Sequence, residues 1–341
     1  MSIELGLDTF GDITDGSDGN PLHAAQVIRN LVDEAVLADE VGVDFIGIGE
    51  HHRADFAVSS PEMVLSAIAS RTKRIRLGSA VTVLSSDDPI RVFQRFATLD
   101  AISNGRAEVI LGRGSFIESF PLFGFDLDRY EELFNEKLDL FAAVLTQQPV
   151  TWSGSIRPPL NKQNVYPKTE SGRLTTWIGV GGTPQSVMRA AHYGMPMMLA
   201  IIGGDPRRFT PFADLYRRAL QEMGKPELPL GVHSHGFVGE TDAQAREDLF
   251  ADYKRMRDRI GAERGWPPLT GADFEREIEH GSLYVGGPET VARKIAGTAK
   301  ALGVSRFDMK YSAGPLSHEK MMRSIELYGR KVIPLVREMM A

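Results

Sequence analysis

The amino-acid sequence predicts an α/β protein built as a (β/α)8 barrel. Eight short apolar runs each precede a longer stretch with helical periodicity, always in that order. Strands that alternate with helices pair in parallel through right-handed crossovers, and eight units favour a closed barrel over an open sheet of five or six strands. The length of 341 residues also exceeds the roughly 250 that eight units need.

Local signals place each unit along the chain. Val27, Leu31, Ala35 and Ala38 recur at helical spacing and predict the first helix. Proline opens several later helices, as at Pro61, which fits its preference for the first helical turn. The eight predicted strand–helix pairs are 3–10 with 24–41, 44–49 with 61–71, 75–84 with 89–102, 106–112 with 128–146, 175–180 with 184–193, 197–202 with 207–223, 228–238 with 242–260, and 306–311 with 318–339.

The remaining residues, roughly 90, are expected to form insertions in a single domain that spans residues 1–341. We place them at 148–173, which is rich in Pro, Asn and Gly, and at 261–281. The segment Val-Thr-Trp-Ser-Gly at 150–154 is typical of a hairpin. No internal repeat and no linker long enough to separate two domains is visible in the sequence.

Composition excludes several classes of protein. The net charge is −6 and the isoelectric point is near 5.8, so the chain has no basic field for nucleic acid or anionic lipid. It contains no cysteine, which excludes disulfides, thiol nucleophiles and thiolate metal sites. The first residues lack the pattern of a secretory signal, and no apolar run reaches about 18 residues. We therefore expect a soluble, cytoplasmic protein without a membrane partner.

Loops that follow the strands carry function in such a barrel, and the loop after the second strand holds adjacent histidines. Glu50, His51 and His52 stand at the end of the strand at 44–49. Imidazole titrates near pH 6.5, so these side chains suit proton transfer. A surface loop with solvated histidines explains the same residues equally well.

Two neighbouring loops carry features that suit an anion. Arg113 lies between two glycines after the fourth strand, so its guanidinium is free to project toward a phosphate. The run Gly-Gly-Thr at 181–183 precedes Pro184 and a predicted helix, whose N-terminal amides attract anions. An arginine that caps a loop carbonyl and an ordinary capped junction remain as structural alternatives.

His233 and His235 alternate along the seventh predicted strand and therefore share a face. Such a pair suggests a metal, but a barrel metal site needs further carboxylate or histidine ligands from other strands. None stands at a convincing spacing, so we expect no metal. A GxSxG nucleophile elbow, a Walker A sequence and a GxGxxG after the first strand are absent from the sequence.

Taken together and in order, these segments resemble the bacterial luciferase-like family of flavin-dependent monooxygenases, which are (β/α)8 barrels. The resemblance covers nearly the whole chain. The matching segments are Gly-Glu-His-His at 49–52, Leu-Gly-Ser-Ala-Val-Thr-Val-Leu at 77–84, Ser-Asn-Gly-Arg at 103–106, Leu-Gly-Arg-Gly-Ser at 111–115, Gly-Gly-Thr-Pro-Gln-Ser at 181–186 and Val-Gly-Gly-Pro-Glu-Thr at 285–290.

The resemblance implies that FMN binds at the strand ends. By motif position, Arg113 with the adjoining Gly114 and the amides of Gly181, Gly182 and Thr183 would hold its phosphate. Glycines stand here where other members use side chains, which leaves more of the binding to Arg113 and to backbone amides.

The resemblance also assigns the ring site and the catalytic histidine. The backbone at Ala80 and Val81 would lie against the isoalloxazine ring, with a non-proline cis peptide at that bulge. His51 matches the histidine that works on the oxygenated flavin, and His52 is the second choice. The segment at 84–86 lacks the proline that luciferase branches often have, so the loop geometry there is open.

The function implied is a two-component monooxygenase that takes reduced FMN from a separate reductase and oxygenates a small organic substrate. The segments 116–125 and 148–173 would act as lids. The resemblance further implies a homodimer formed through helices of the early units. The apolar residues that would contribute, unless they face the barrel, are Val64, Ile68, Val92 and Phe96.

Three other functions fit the same sequence. A deazaflavin-dependent oxidoreductase would keep the fold and transfer hydride instead of activating oxygen. A flavin-holding protein without catalysis is less compatible with the presence of Glu50, His51 and Arg113. A metal-dependent barrel hydrolase would use His51, His52, His233 and His235. For none of these functions does the sequence indicate the substrate.

Overall fold

Eight parallel strand positions close into a barrel in the computed structural model, which describes residues 3–341. Nine strands form one path, β3-β2-β1-β12-β10-β9-β8-β5-β4, whose two ends are consecutive in the chain. A bridge between Leu77 and Ala107 completes the ring. The strands are β1 (Glu4–Thr9), β2 (Phe45–Ile48), β3 (Arg76–Ser79), β4 (Thr82–Val83), β5 (Glu108–Gly112), β6 (Val150–Trp152), β7 (Leu160–Gln163), β8 (Thr175–Val180), β9 (Met197–Ala200), β10 (Leu230–Val238), β11 (Tyr284–Gly286) and β12 (Arg306–Lys310).

Amphipathic helices surround this barrel and begin where capping residues predict. Asp88 accepts hydrogen bonds from the amides of Ile90 and Arg91, and Pro89 occupies the first turn of its helix. Within residues 3–341, no helix is long and apolar enough to cross a membrane. The helices are α1 (Ala24–Val41), α2 (Pro61–Arg71), α3 (Pro89–Ser103), α4 (Ser119–Phe123), α5 (Tyr130–Leu145), α6 (Pro184–Tyr193), α7 (Thr210–Glu222), α8 (Asp242–Arg264), α9 (Gly271–Glu279), α10 (Pro288–Leu302), α11 (His318–Leu327) and α12 (Ile333–Met340).

The predicted barrel and its eight units are confirmed, with local differences that include an additional helix, α10, before the last strand. The strand predicted at 75–84 is interrupted at residues 80 and 81, which separate β3 from β4. The second insertion also contains structure that the sequence did not predict, because α8 extends to Arg264 and α9 follows it. Shortly after α9, β11 pairs with the last three residues of β10, which β12 leaves free.

The first insertion forms the predicted hairpin, β6 with β7, but not the predicted lid. Trp152 Nε1 donates to Asp139 Oδ2 of α5 at 2.9 Å, which fixes the hairpin against the outer layer of helices. None of the residues 148–173 lines the cavity at the barrel mouth. The prediction that this segment covers the site is therefore wrong, because its apolar side chains pack on α5 instead.

The four residues predicted as a possible dimer surface face the interior. All of them belong to the hydrophobic core and are less than 8% exposed, so the barrel-facing alternative is correct. The exposed apolar residues on the same two helices are Met63 and Ile102. The buried residues are Val64, Ile68, Val92 and Phe96.

The barrel interior below the mouth contains a buried cation among aromatic rings. The Arg306 guanidinium lies 3.6 Å from the centre of the Phe45 ring and 4.8 Å from that of Trp177. It donates to Glu108 at 2.7 Å and, through Nε, to Asp308 at 3.0 Å. Arg306, Glu108 and Asp308 thus fill the barrel interior with buried ion pairs, which form the base beneath the cavity described next.

Candidate active site

A cavity of about 770 Å³ opens at the carboxyl ends of the barrel strands. Its volume is in the range of cofactor and small-molecule sites. Most of the residues that the sequence predicts as site residues line this cavity. They are His51, His52, Ala80, Val81, Arg113, Gly114 and Gly181. The other two, Gly182 and Thr183, follow Gly181 in the chain and lead into the N-terminus of α6.

The segment between β3 and β4 forms one wall of this cavity. The peptide bond between Ala80 and Val81 is cis, at the position that the sequence predicts. Glu50 fixes the segment, because its amide donates to the Val81 carbonyl oxygen at 3.3 Å and its carboxylate accepts from the Val83 amide at 2.8 Å. A Cβ on Gly112 would lie 2.5 Å from Val81 Cγ2, so the absent side chain leaves room for the bulge.

His51 lies in a cage of aromatic rings. The centres of the Phe56, Phe10 and Phe116 rings are 4.3, 4.6 and 5.4 Å from that of the imidazole. Burial lowers the pKa of His51 to about 3, so the ring is neutral at ordinary pH.

The two ring nitrogens of His51 have different surroundings. Nδ1 is buried and has no hydrogen-bond partner within residues 3–341, whereas Nε2 is also unpartnered but remains open to the cavity. The tautomer with its proton on Nε2 avoids burying an unpaired N–H. His51 therefore presents a neutral N–H donor to the cavity.

His52 is held by a different interaction. Its Nε2 lies 2.9 Å from Glu50 Oε1, and its ring packs edge-on against Phe123 at 5.0 Å. Glu50 is the same carboxylate that fixes Val83, so His52 supports the wall of the cavity through it. Of the two histidines predicted as catalysts, His52 has Nε2 engaged by a carboxylate, whereas no carboxylate holds His51.

Arg113 lines the cavity and shares a carboxylate with Arg189, which does not line it. Arg113 contacts the Glu131 carboxylate, and Arg189 Nη2 lies 3.2 Å from the other oxygen of the same carboxylate. The Glu131 side chain is 56% exposed, so this anion is exchangeable. A Cβ on Gly181 would meet no atom within 4 Å, which leaves the backbone there uncovered. The arrangement suits a phosphate, which two guanidinium groups and backbone amides bind well.

Thr183 is the N-cap residue of α6, as the sequence predicts, but its hydroxyl does not cap the helix backbone. The hydroxyl donates to Ser186 Oγ at 2.9 Å and accepts no hydrogen bond from the helix backbone. The Thr183 carbonyl oxygen accepts from the Ser186 amide at 3.1 Å, and Pro184 has no N–H, so the Gln185 amide is the one without a backbone partner in this first turn. An amide at a helix N-terminus favours an anion through the helix dipole.

The floor of the cavity contains two buried ion pairs. His233 Nδ1 lies 2.6 Å from Asp8 Oδ2, and Lys310 Nζ lies 3.0 Å from Asp12 Oδ2. Phe10 stacks parallel to His233, with 6.0 Å between ring centres. His235, two residues along the same strand, has a buried Nδ1 without a partner in the described chain.

The two floor histidines differ in charge because one has a carboxylate and the other does not. Burial opposes the charging of His233, but the adjacent Asp8 carboxylate outweighs it and raises the pKa of His233. Burial and the nearby Lys310 ammonium hold the pKa of His235 well below its ordinary value. The shared strand face predicted from sequence thus carries one readily protonated and one neutral imidazole.

Segments from three loops cover the cavity. Phe116 forms part of the wall, and the Arg53 guanidinium lies 4.5 Å from its ring centre. Arg53 also pairs with Glu118 and, at 2.6 Å, with Glu263 of α8. Arg264 donates to the Ser115 carbonyl oxygen at 3.1 Å. The predicted lid at 116–125 therefore lies at the site, and its partner is the second insertion instead of the first.

Several residues at or beside this cavity were not identified from the sequence. Arg189, which does not line the cavity, lies in the second turn of α6, where sequence spacing alone gives no direction to its side chain. Asp8 and Lys310 carried a usable signal, because each is a charged residue in a strand that the barrel buries, and buried charges need partners. In the described part of the chain, no three His, Cys, Asp or Glu side chains are grouped to hold a metal ion.

Comparison with known proteins places these features in one family. Residues 9–306 match the model of the luciferase-like monooxygenases. The chain is 28% identical over 319 residues to the 4-hydroxyprotoasukamycin monooxygenase of Streptomyces nodosus subsp. asukaensis, covering 87% of this chain and 83% of that protein. It is 26% identical to the alkanal monooxygenase alpha chain of the Kryptophanaron alfredi symbiont, with coverage of 93% and 95%.

Solved structures share the fold at lower identity. A monooxygenase from Streptomyces bottropensis superimposes with a TM-score of 0.85 at 23% identity, covering 97% of this chain and 99% of that one. The FMN complex of the oxygenating constituent of 3,6-diketocamphane monooxygenase from Pseudomonas putida gives 0.78 at 20%, with coverage of 98% and 99%. The coenzyme F420-dependent tetrahydromethanopterin reductase of Methanopyrus kandleri gives 0.69 at 19%, also with 98% and 99%. On the family match, this chain belongs to the luciferase-like monooxygenases.

Proposed function

We propose that this protein is an FMN-dependent monooxygenase that receives reduced flavin from a separate reductase and oxygenates a small organic substrate. One observation carries the proposal. One cavity is lined both by Arg113, which shares the Glu131 carboxylate with Arg189 beside the cavity, and by His51, a neutral imidazole N–H donor. The first suits a flavin phosphate and the second suits the reactive part of the ring system.

The residues present fit FMN. Arg113 and Arg189 would hold the phosphate in place of the Glu131 carboxylate, with amides at Gly181 and at the start of α6 as additional donors. The backbone at residues 80 and 81, fixed by Glu50, would support the ring. FMN when bound and reduced supplies the electrons that activate oxygen, which side chains do not supply.

The protein's own side chains would orient the reacting groups, donate a hydrogen bond to them and exclude water. His51 donates a hydrogen bond from Nε2 and brings no net charge, because its imidazole is neutral above a pKa of about 3. The rings of Phe10, Phe56 and Phe116 keep water from its buried face. Arg53 holds the covering loop through Glu118, so the cavity is shielded while oxygen reacts.

Two variants separate binding from catalysis. Arg113→Ala removes a charge-assisted contact to the phosphate, and we expect FMN affinity to fall about 10–100-fold. His51→Ala is expected to leave FMN affinity within about threefold of wild type and to reduce oxygenation about 10²–10⁴-fold. Fluorescence titration with FMN and oxygen uptake with reduced FMN measure the two quantities.

Arg157→Ala is the matched control for the binding variant. The Arg157 side chain is 25% exposed, as is that of Arg113, but it pairs with Asp88 at 3.1 Å outside the cavity. It should bind FMN like wild type. If Arg113→Ala and Arg157→Ala bound FMN equally, or if His51→Ala oxygenated normally, the proposal would be wrong.

A deazaflavin-dependent oxidoreductase remains the second candidate, supported by the fold shared with the F420-dependent reductase. The same arginines would bind the phosphate of either cofactor, so parallel titrations with FMN and F420 decide between them. Flavin binding without oxygen uptake for any candidate substrate would favour a non-catalytic flavin carrier. Stoichiometric metal in the purified protein would instead support the hydrolase alternative.

A further inference from the structure

We propose that Asp8 and His233 form a proton-accepting pair that ionises a hydroxyl group on an aromatic substrate. This pair lies on the cavity floor and has no part in holding FMN or in the role given to His51. The inference deepens the proposed function, on which it rests, by naming the substrate class. His233 is the catalytic residue, and Asp8 is a positioning residue that acts through it.

The geometry of the pair fixes the tautomer of the imidazole. Asp8 is 1% exposed, and its Oδ2 lies 2.6 Å from His233 Nδ1. A carboxylate at this distance accepts the Nδ1 proton, which leaves the lone pair on Nε2. Nε2 has no partner within residues 3–341 and remains open to the cavity. His233 therefore presents an acceptor where His51 presents a donor.

The barrel itself holds the pair rigidly. In the strand register, Asp8 is opposite Lys310 and His233 is opposite Asp308, so both members flank β12. The parallel Phe10 ring, 6.0 Å away, limits rotation of the imidazole. A base whose orientation is already fixed loses no further freedom in the reaction.

The groups that face His233 make its neutral imidazole a stronger base. Burial and Lys310 oppose a positive charge there, but Asp8 and Asp308 attract it and outweigh them, so the pKa of His233 is raised overall. Above that pKa the imidazole is neutral and binds a proton more strongly than an ordinary histidine does. Its neighbour on the strand is the neutral His235, and on the other side β9 places the apolar Ala200 opposite it. The pair is therefore suited to hold a proton taken from an acidic hydroxyl.

The walls above the pair indicate an aromatic partner. Phe56, Phe116, Tyr253 and Trp266 supply ring surface, and Met256 adds a flexible apolar contact. An aromatic molecule between these side chains would direct a ring hydroxyl to the floor, where Nε2 accepts. A saturated alcohol gains less, because its hydroxyl is too weak an acid to lose a proton to imidazole.

The step is a proton transfer without change of oxidation state. The O–H bond of the substrate breaks, its electron pair stays on oxygen, and the proton forms a bond to His233 Nε2. Asp8 stabilises the resulting imidazolium, as a carboxylate does beside a general base. The phenolate is more electron-rich at its ring carbons than the phenol, so it would be oxidised more readily.

The test uses 4-nitrophenol, whose ionised form absorbs in the visible, and the purified full chain without added flavin. We expect bound 4-nitrophenol to ionise at a pH at least one unit below that of the free compound, a tenfold shift in its ionisation ratio. His233→Gln and Asp8→Asn should abolish this shift. His235→Gln, which removes a histidine on the same face without a carboxylate, should keep it.

A second measurement follows the proton directly. In wild-type protein labelled with ¹⁵N-histidine, the His233 Nε2 resonance is assigned by its absence from His233→Gln. At a pH where this histidine is neutral in the free protein, the resonance should move to the protonated position when 4-nitrophenol binds. Failure of 4-nitrophenol to bind, an unchanged ionisation pH, or equal loss of the shift in His235→Gln would overturn the proposal. FMN titration of the same preparations separates the two proposals, because loss of FMN binding with the shift intact contradicts only the flavin function.

Discussion

The rim and the floor of the cavity both carry charge, but they hold it differently. At the rim, Arg113 and Arg189 share one carboxylate, Glu131, which is 56% exposed. At the floor, Lys310 and Asp12 pair with both side chains 1% exposed, and in the base beneath the floor Arg306 is 0% exposed with its buried partners Glu108 and Asp308. The rim pair exchanges readily with solvent anions, whereas the floor pairs are permanent.

This difference shows how one cavity serves both binding and proton chemistry. A site for a removable phosphate needs cations whose own partner is weakly held, since strong internal pairs would compete with the ligand. Groups that position protons need fixed neighbours, because a pKa shift depends on an unchanging environment. The next four predictions test this contrast.

The largest effect is expected from Arg306→Met. This change leaves Asp308 as a buried carboxylate without its cation and leaves Glu108 with Arg76 alone, so we expect the free energy of unfolding to fall by about 3–5 kcal/mol. Urea denaturation measures the loss. Arg323→Met is the control, because Arg323 pairs with Glu240 on the surface and should lose less than about 1 kcal/mol. Similar losses in both variants would remove the distinction between floor and rim.

Arg189→Ala is expected to act on binding and little on stability. Loss of the second guanidinium should weaken FMN binding about 10–100-fold, because each charge-assisted hydrogen bond contributes about 1.5–3 kcal/mol. FMN titration gives the affinity, and urea denaturation of the same sample gives the stability. An unchanged affinity would mean that Arg113 alone forms the anion site.

His51→Phe tests the buried imidazole through the pH dependence of stability. The unfolded histidine takes up a proton near pH 6.5, whereas native His51 stays neutral down to a pKa of about 3. Between these values the unfolded state binds more protons, so stability falls as pH falls. The variant lacks this contribution, and its free energy of unfolding should fall about 1.4 kcal/mol less per pH unit between pH 6 and 4. Parallel curves for the two proteins would contradict the neutral state of His51.

The smallest effect is expected from Glu131→Gln. It removes the carboxylate that competes with a phosphate for Arg113 and Arg189, so FMN should bind about two- to fivefold more tightly. Isothermal titration at low salt measures the change. Glu136→Gln on the same helix is the control, because Glu136 bonds to Ser155 away from the cavity. Weaker binding in Glu131→Gln would show that this carboxylate supports the site.

How far the sequence predicts the site depends on whether the signal is local. The rim is marked by Arg113 between glycines and by the run at 181–183, because loop flexibility and helix capping are properties of a few consecutive residues. The cis position at Ala80 and Val81 came from motif resemblance and is confirmed. The prediction that residues 148–173 form a lid was wrong, because the sequence of a hairpin does not specify the surface on which the hairpin packs.

The sequence alone determined the number and order of the strand–helix units, because hydrophobic periodicity and caps act within about ten residues. The arrangement of the cavity floor depends on the closed barrel, which brings Asp8 into contact with His233 although the two residues are 225 positions apart in the sequence. Their meeting depends on the register of both strands against β12, which is set by packing of the whole barrel. The pKa values of His51 and His233 diverge for the same reason, since burial and neighbouring charge exist only in the assembled structure.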